Sequence, residues 1–199
     1  MGLENEVKFE VHGFADLKVM LKRLAAEPLG SAFEHNLVLD TPQGSLKAEK
    51  NLLRLRQAGN SRVLCLKKPP ESSRHEGIKV WQEWETEFAD WTSMLEILKG
   101  LGFTLGFSYE KVRETWRLGS CLICLDLLPF GRFVEIEGPP GDIFACAAKI
   151  GLDRDGATTQ TYHQINQDRQ IREGRPHDPS FTFSEPERSQ LIENQTSMG

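Results

Sequence analysis

The sequence predicts an α+β fold: an antiparallel eight-stranded β-barrel whose charged interior forms a tunnel, with helices packed on the outside. Three observations lead there. Several segments alternate strictly between ionisable and apolar residues, the pattern of a strand with one polar and one apolar face. Other segments carry apolar residues at helical spacing. The charged phase is filled with Glu and Arg rather than the Thr, Ser and Gln of ordinary solvated strands, and it carries both signs. An open antiparallel sheet with one wet face explains any single strand. Taken together, the faces favour closure with the charges turned inward.

The first strand is Glu4 to Val11, with Glu4, Glu6 and Lys8 opposed to Val7 and Phe9. After Gly13, the spacing of Phe14, Leu17, Leu21 and Leu24 predicts a helix that Pro28 and Gly30 end. Ala32 to Leu39 is a second strand, stopped by the turn Asp40 to Gly44. Leu52–Gln57 and Arg62–Lys68 flank Ala58-Gly59-Asn60-Ser61 and read as a hairpin, with Arg54, Arg56 and Lys67 in the charged phase. Pro69 to Gly77 is a polar, breaker-rich loop containing Arg74 and His75.

Lys79 to Phe88 alternates again, with Lys79, Trp81, Glu83, Glu85 and Glu87 in one phase. Asp90 then caps a helix over WTSMLEILKGLGF. Thr104–Arg117 and Cys121–Leu127 form two strands joined at Gly119, bringing in Lys111, Arg113 and Asp126; Phe133–Glu137 adds Glu135 and Glu137. Helices are predicted near Ile143–Ile150, after Pro139-Pro140-Gly141, and over about Thr158–Ile171. From Gln170 onward, 15 of the last 30 residues are Gly, Pro, Ser, Thr, Asn or Gln. The expected division is therefore a folded domain over 1–169 and a polar, disordered tail over 170–199, with Phe181 and Phe183 as its one apolar anchor.

Composition narrows the function. The net charge of −5, from 24 basic and 29 acidic residues, does not recommend a nucleic-acid partner. No apolar run is long enough for a membrane span, and the charged N-terminus lacks a signal core, so a cytoplasmic location is expected. Cys121 and Cys124 form a C-x-x-C inside an apolar strand, where they point to opposite faces and read as buried thiols rather than a metal site. The histidines show no ligand spacing. A channel lined by both signs suits one kind of guest: carboxylates hold divalent cations while Arg and Lys hold phosphate oxygens, and a metal-bound polyphosphate satisfies both.

Glu4-Asn5-Glu6-Val7-Lys8 resembles the ExExK opening of the CYTH superfamily, the triphosphate tunnel metalloenzymes, which include class IV adenylate cyclases, thiamine triphosphatases and inorganic tripolyphosphatases. The order of the following motifs is more specific: NLVLDTP, LLRLR, LCLKKP, EWETEF, EKVRETW and LDLLPFGRFVEIEGP, over roughly residues 3–168. The resemblance implies Glu4, Glu6, Glu135 and Glu137 as metal ligands, with Glu83, Glu85 and Asp126 completing the acidic wall. It implies Lys8, Arg54, Arg56, Lys67, Lys111 and Arg113 as triphosphate contacts. Glu87 is left between ligand and ion-pair partner, the tryptophans default to packing, and Thr161-Tyr162 resembles a Ser-Tyr element of the C-terminal helix. Val38 stands where many members have a Tyr, which some tripolyphosphatases use with a Lys on a later strand, so Lys111 or Lys67 remains for proton handling or leaving-group stabilisation.

The expected function is a Mg²⁺- or Mn²⁺-dependent enzyme hydrolysing an organic or inorganic triphosphate: thiamine triphosphate, a nucleoside triphosphate or tripolyphosphate. The alternatives are a class IV adenylate cyclase making cyclic AMP and pyrophosphate, and a polyphosphate- or nucleotide-binding module without turnover. The partner expected is a triphosphate-bearing small molecule, with neither nucleic acid nor membrane, and a homodimer is left open. The loop 69–77 is the expected reader of the group attached to the phosphates.

Overall fold

The computed structural model describes residues 2–71 and 75–196. Nine strands are present: β1 (Gly2–Val11), β2 (Glu27–Asp40), β3 (Leu52–Ala58), β4 (Ser61–Lys68), β5 (Lys79–Glu87), β6 (Thr104–Leu118), β7 (Cys121–Leu128), β8 (Gly131–Glu137) and β9 (Ala157–Thr158). The helices are α1 (Ala15–Arg23), α2 (Ser45–Ala48), α3 (Trp91–Gly100), α4 (Pro140–Lys149), α5 (Tyr162–Arg172) and α6 (Glu185–Thr196). The sheet runs β5-β4-β3-β2-β6-β7-β8-β1, and a further β5–β1 pairing closes it into a barrel; every ladder is antiparallel, with β9 added beside β1.

Register decides which phase points inward. Glu6 pairs with both Lys79 and Glu137, Lys8 with Glu135, and Arg113 with Asp126, so the charged phases of neighbouring strands share the interior. The apolar phases face out and are covered by helices. Leu17 and Leu21 of α1, with Ile143, Cys146 and Ala147 of α4, pack on Val7, Ile123, Val134 and Ile136. Leu98 of α3 packs on Leu39, Leu53 and Leu55. Asp90 caps α3 by accepting the Ser93 N–H, and Thr161 and Gln164 close a capping box on α5. A third apolar cluster lies within the barrel at one end, where Val38, Tyr109, Leu128 and Phe133 meet Tyr162 and Ile165 of α5 and Phe181.

Four local features differ from the sequence expectation. β2 starts at Glu27 rather than Ala32: Pro28 and Gly30 do not end structure there but form a bulge against β6, with Gly30 at φ 120°. α2 is nucleated by Asp40, whose carboxylate accepts the N–H groups of Leu46 and Lys47. Thr158 belongs to β9, so α5 starts at Tyr162. The tail expected to be disordered bears the bridge Tyr109–Phe181 and the helix α6, and Phe181 and Phe183 are both buried. All four cysteines are reduced and buried, Cys121 under the helices. Among the described residues no helix is long and apolar enough to cross a membrane.

Candidate active site

Alternate residues of six barrel strands, the start of α5 and Phe181 line a cavity of about 250 Å³. Of the sequence-predicted residues, Glu4, Glu6, Lys8, Arg54, Arg56, Lys67, Glu83, Glu85, Lys111, Arg113, Glu135 and Glu137 all line it. Asp126 lies in the wall behind them, fully buried. Glu87 is outside, accepting the Ser61 hydroxyl at the rim. The loop around His75 borders a separate groove, and Arg74 lies outside the described residues.

Three ionic nodes organise the lining. In the first, Lys8 Nζ lies 2.7 Å from both Glu6 and Glu135. In the second, Arg113 grips Asp126 through Nε (2.7 Å) and Nη2 (2.6 Å), and also reaches Glu135 (2.6 Å) and Glu137 (3.4 Å). Asp126 takes two further donors, Lys111 at 3.1 Å and the Tyr162 hydroxyl at 2.7 Å, so its oxygens orient two cations. In the third, Lys67 bridges Glu4 and Glu83, while Arg54 and Arg56 approach Glu85 at 3.7 and 3.1 Å.

The charges are unevenly compensated. Burial opposes ionisation of Glu135, but Arg113, Lys8 and Lys111 together hold its pKa well below the carboxylate range. Burial and the neighbouring Glu135 push Glu137 up to about 8, and burial raises Glu4 despite Lys67. Glu4, Glu6 and Glu137 offer oxygens within 4.8 Å of one another. A carboxyl kept protonated by negative neighbours marks a place where added positive charge is favourable, and oxygen donors are what Mg²⁺ and Mn²⁺ take. The donor set therefore fits a divalent cation. A second cluster, Cys65, Glu83 and Glu85, is less suited, because Arg54, Arg56 and Lys67 already crowd its carboxylates. Burial pushes the Cys65 thiol up to about 12.

Several lining residues were not singled out from sequence. Lys79 sits 3.3 Å from Glu6 with its ammonium over the Trp81 ring, and burial lowers its pKa to about 8. It stands in the charged phase of its strand, so the alternation was the available signal. Tyr109 accepts a hydrogen bond from Arg54 at 3.0 Å; behind the lining, buried Glu34 lies 3.6 Å from Lys111. Val38, across from Arg54 and Phe107, brings no hydroxyl; the tyrosine on Arg54 comes from β6.

The CYTH domain model matches residues 2–146. No curated protein matches the chain in sequence. Among solved structures, a candidate adenylate cyclase from Vibrio parahaemolyticus is 21% identical, with a TM-score of 0.73 over 82% of this chain and 97% of that one. The PH1819 protein of Pyrococcus horikoshii is 20% identical, with a TM-score of 0.71 over 83% and 99%. HpAC1 from Hippeastrum, a candidate adenylyl cyclase with a dominant triphosphatase activity, is 20% identical, with a TM-score of 0.60 over 90% and 99%. The structural neighbours share the fold, and the family model covers most of the barrel that builds the two-signed cavity: the chain belongs to the CYTH family.

Proposed function

We propose that this protein is a divalent-metal-dependent enzyme that binds linear triphosphates in the tunnel and hydrolyses them. The observation that carries this reading is the pairing of an acidic wall, Glu4, Glu6 and Glu137, with Arg54, Arg56, Lys67, Lys111 and Arg113 in one cavity. Mg²⁺ or Mn²⁺ held by the acidic wall would supply charge neutralisation of the phosphate chain and activation of water. Arg56 and Arg113 present fork-shaped donors suited to phosphate oxygens. Lys67 and Lys111 stay protonated: burial opposes their charge, but Glu4 outweighs it at Lys67, and Asp126 and Glu34 do so at Lys111. They act as fixed cations beside the bridging oxygen that leaves. Lys79, next to Glu6 and lowered to about 8 by burial, is the lining lysine whose charge is held least firmly.

The closest competing reaction uses the substrate's own 3′-hydroxyl on the α-phosphorus, giving cyclic AMP and pyrophosphate. The likeness to the candidate adenylate cyclase from Vibrio favours it, whereas the triphosphatase activity of the Hippeastrum neighbour favours hydrolysis. Purified protein with Mg²⁺ or Mn²⁺, offered ATP, thiamine triphosphate and tripolyphosphate separately, decides by product. Released phosphate supports hydrolysis, and cyclic AMP supports the cyclase. Tight binding without either product identifies a binding module and overturns the enzymatic reading.

A further inference from the structure

Glu34 and Asn36 occupy the inward phase of β2. Glu34 lies directly opposite Lys111 on β6, and Asn36 lies opposite both Tyr109 on β6 and Arg56 on β3. Both are buried, and neither is among the residues that line the cavity. Together they make a polar floor behind the cationic side of the tunnel. On β2 and the adjacent β3, four buried side-chain atoms have no hydrogen-bond partner among the described residues: Glu34 Oε2, Oδ1 and Nδ2 of Asn36, and Arg54 Nε. Native proteins leave few buried polar atoms unpaired, so four on two neighbouring strands are not explained by packing alone.

The two carboxylates beside Lys111 differ in what they do. Asp126 accepts a hydrogen bond from Lys111 Nζ at 3.1 Å and so fixes where the ammonium stands. Glu34 Oε2 lies 3.6 Å from the same nitrogen, longer than a hydrogen bond, and acts on it through charge. That charge is secure: burial opposes it, but Lys111, Arg113 and Arg56 hold the Glu34 carboxyl below the usual carboxylate range. Glu34 belongs to neither group of side chains placed to share a cation, Glu4–Glu6–Glu137 or Cys65–Glu83–Glu85. Its partners are the cations that face the phosphate chain. A negative charge fixed behind them lowers the positive potential that a polyanion meets at the cavity surface, and at an effective dielectric constant of about 20 one such charge shifts polyanion affinity by about tenfold. Asn36, uncharged beside Arg56, keeps the floor polar without adding a second negative charge.

We infer that Glu34 is a fixed counter-charge behind Lys111, Arg56 and Arg113 that holds the tunnel's grip on polyanions below its limit, so that removing this one carboxylate tightens binding. This rests on the triphosphate reading above and adds a residue, outside the cavity lining, that sets the strength of the grip.

The test measures the Kd of the full-length protein, with Mn²⁺, for tripolyphosphate, pyrophosphate and monophosphate. The proteins compared are the wild type, Glu34→Gln, Glu34→Asp and Asn36→Asp, each checked for folding by its melting temperature. Glu34→Gln keeps the shape and removes the charge; it is expected to tighten tripolyphosphate about tenfold, pyrophosphate less and monophosphate least. A merely structural role gives the opposite sign, because a damaged wall loses affinity. Glu34→Asp keeps the charge and should stay within about twofold of the wild type, whereas Asn36→Asp adds a charge and should weaken tripolyphosphate the most of the three anions. Unchanged or weaker tripolyphosphate binding in folded Glu34→Gln overturns the inference. So does equal tightening of all three anions, or the same tightening in Glu34→Asp. If Glu34→Gln does not fold, Asn36→Asp decides: a loss graded by ligand charge supports the inference, and an ungraded loss or none overturns it. Failure of both to fold would make the floor structural and also overturns it. A wild type that binds none of the anions overturns the triphosphate reading, and this inference with it.

Discussion

Tyr162 donates its hydroxyl to Asp126 Oδ2 across 2.7 Å, tying the first turn of α5 to the middle of β7 inside the barrel. Asp126 is thereby a hub, since it also holds Arg113 by two bonds and Lys111 by one. Tyr162→Phe removes one hydrogen bond to a charged group, for an expected loss of about 1.5–3 kcal/mol in urea unfolding. Asp126→Asn leaves two buried cations short of a counter-charge, for about 3–5 kcal/mol. Equal, negligible losses in both would show that this hub does not hold the barrel.

Glu4→Gln and Glu6→Gln each remove a negative oxygen while preserving shape. Activity is expected to fall through metal affinity, and excess Mn²⁺ to restore part of it. Full wild-type turnover in a strong chelator would contradict the assignment.

Arg56 and Arg113 should separate binding from folding. Arg56 is partly open to solvent and, among the described residues, is ion-paired only with Glu85, so Arg56→Ala is expected to weaken substrate affinity with little change in melting temperature. Arg113 holds Asp126, Glu135 and Glu137, so Arg113→Ala should lose both affinity and about 3–5 kcal/mol of stability. A normal KM and kcat in Arg56→Ala would remove that residue from the phosphate grip.

The raised pKa of Glu137 sets a pH dependence. In the metal-free protein Glu137 keeps a proton up to about pH 8 that the unfolded chain gives up near pH 4.5. The folded state binds more protons over that window, so stability falls as pH rises from about 5 to 8. Glu4, also raised, adds in the same direction. Glu137→Gln should flatten the slope in melting temperature across this range; an unchanged slope would place the titration elsewhere.

Truncation before Phe181 exposes a β6 edge and strands Glu110. Phe183, against Phe33 at 6.1 Å between ring centroids, is 7% exposed, and Phe183→Ala alone is expected to cost about 3 kcal/mol in chemical unfolding. A loss below about 0.5 kcal/mol would show that this C-terminal segment is only loosely docked.

Most of the barrel was legible because its interior is ionic. Strict alternation in β1, β5 and β8 marks both the strand and its inward residues, and the apolar phases announce the helices outside. The parts that escaped depend on contacts remote in sequence. Glu110 shares its phase with Val112 and Glu114 and reads as solvent-facing until Phe183 and Arg188 return to it from the C-terminus. α6 has almost no amphipathic pattern, so only its contacts with β2 and Glu110 explain its place. Likewise, Asp126 carries the residue type of a metal ligand, and only the geometry shows which donors its oxygens hold.

The central claim, a closed tunnel built to hold metal and polyphosphate together, is tested most directly by the melting temperature of the wild-type protein with Mn²⁺ and tripolyphosphate, alone and combined. The interior sets Glu4, Glu6 and Glu137 close together, and a ligand that binds only the folded state at about 100 Kd adds about 2.7 kcal/mol. For a chain of this size that corresponds to a rise of roughly 5–10 °C. The rise should require both components and be nearly absent with monophosphate at equal ionic strength. A small, salt-like response to every combination would contradict the account.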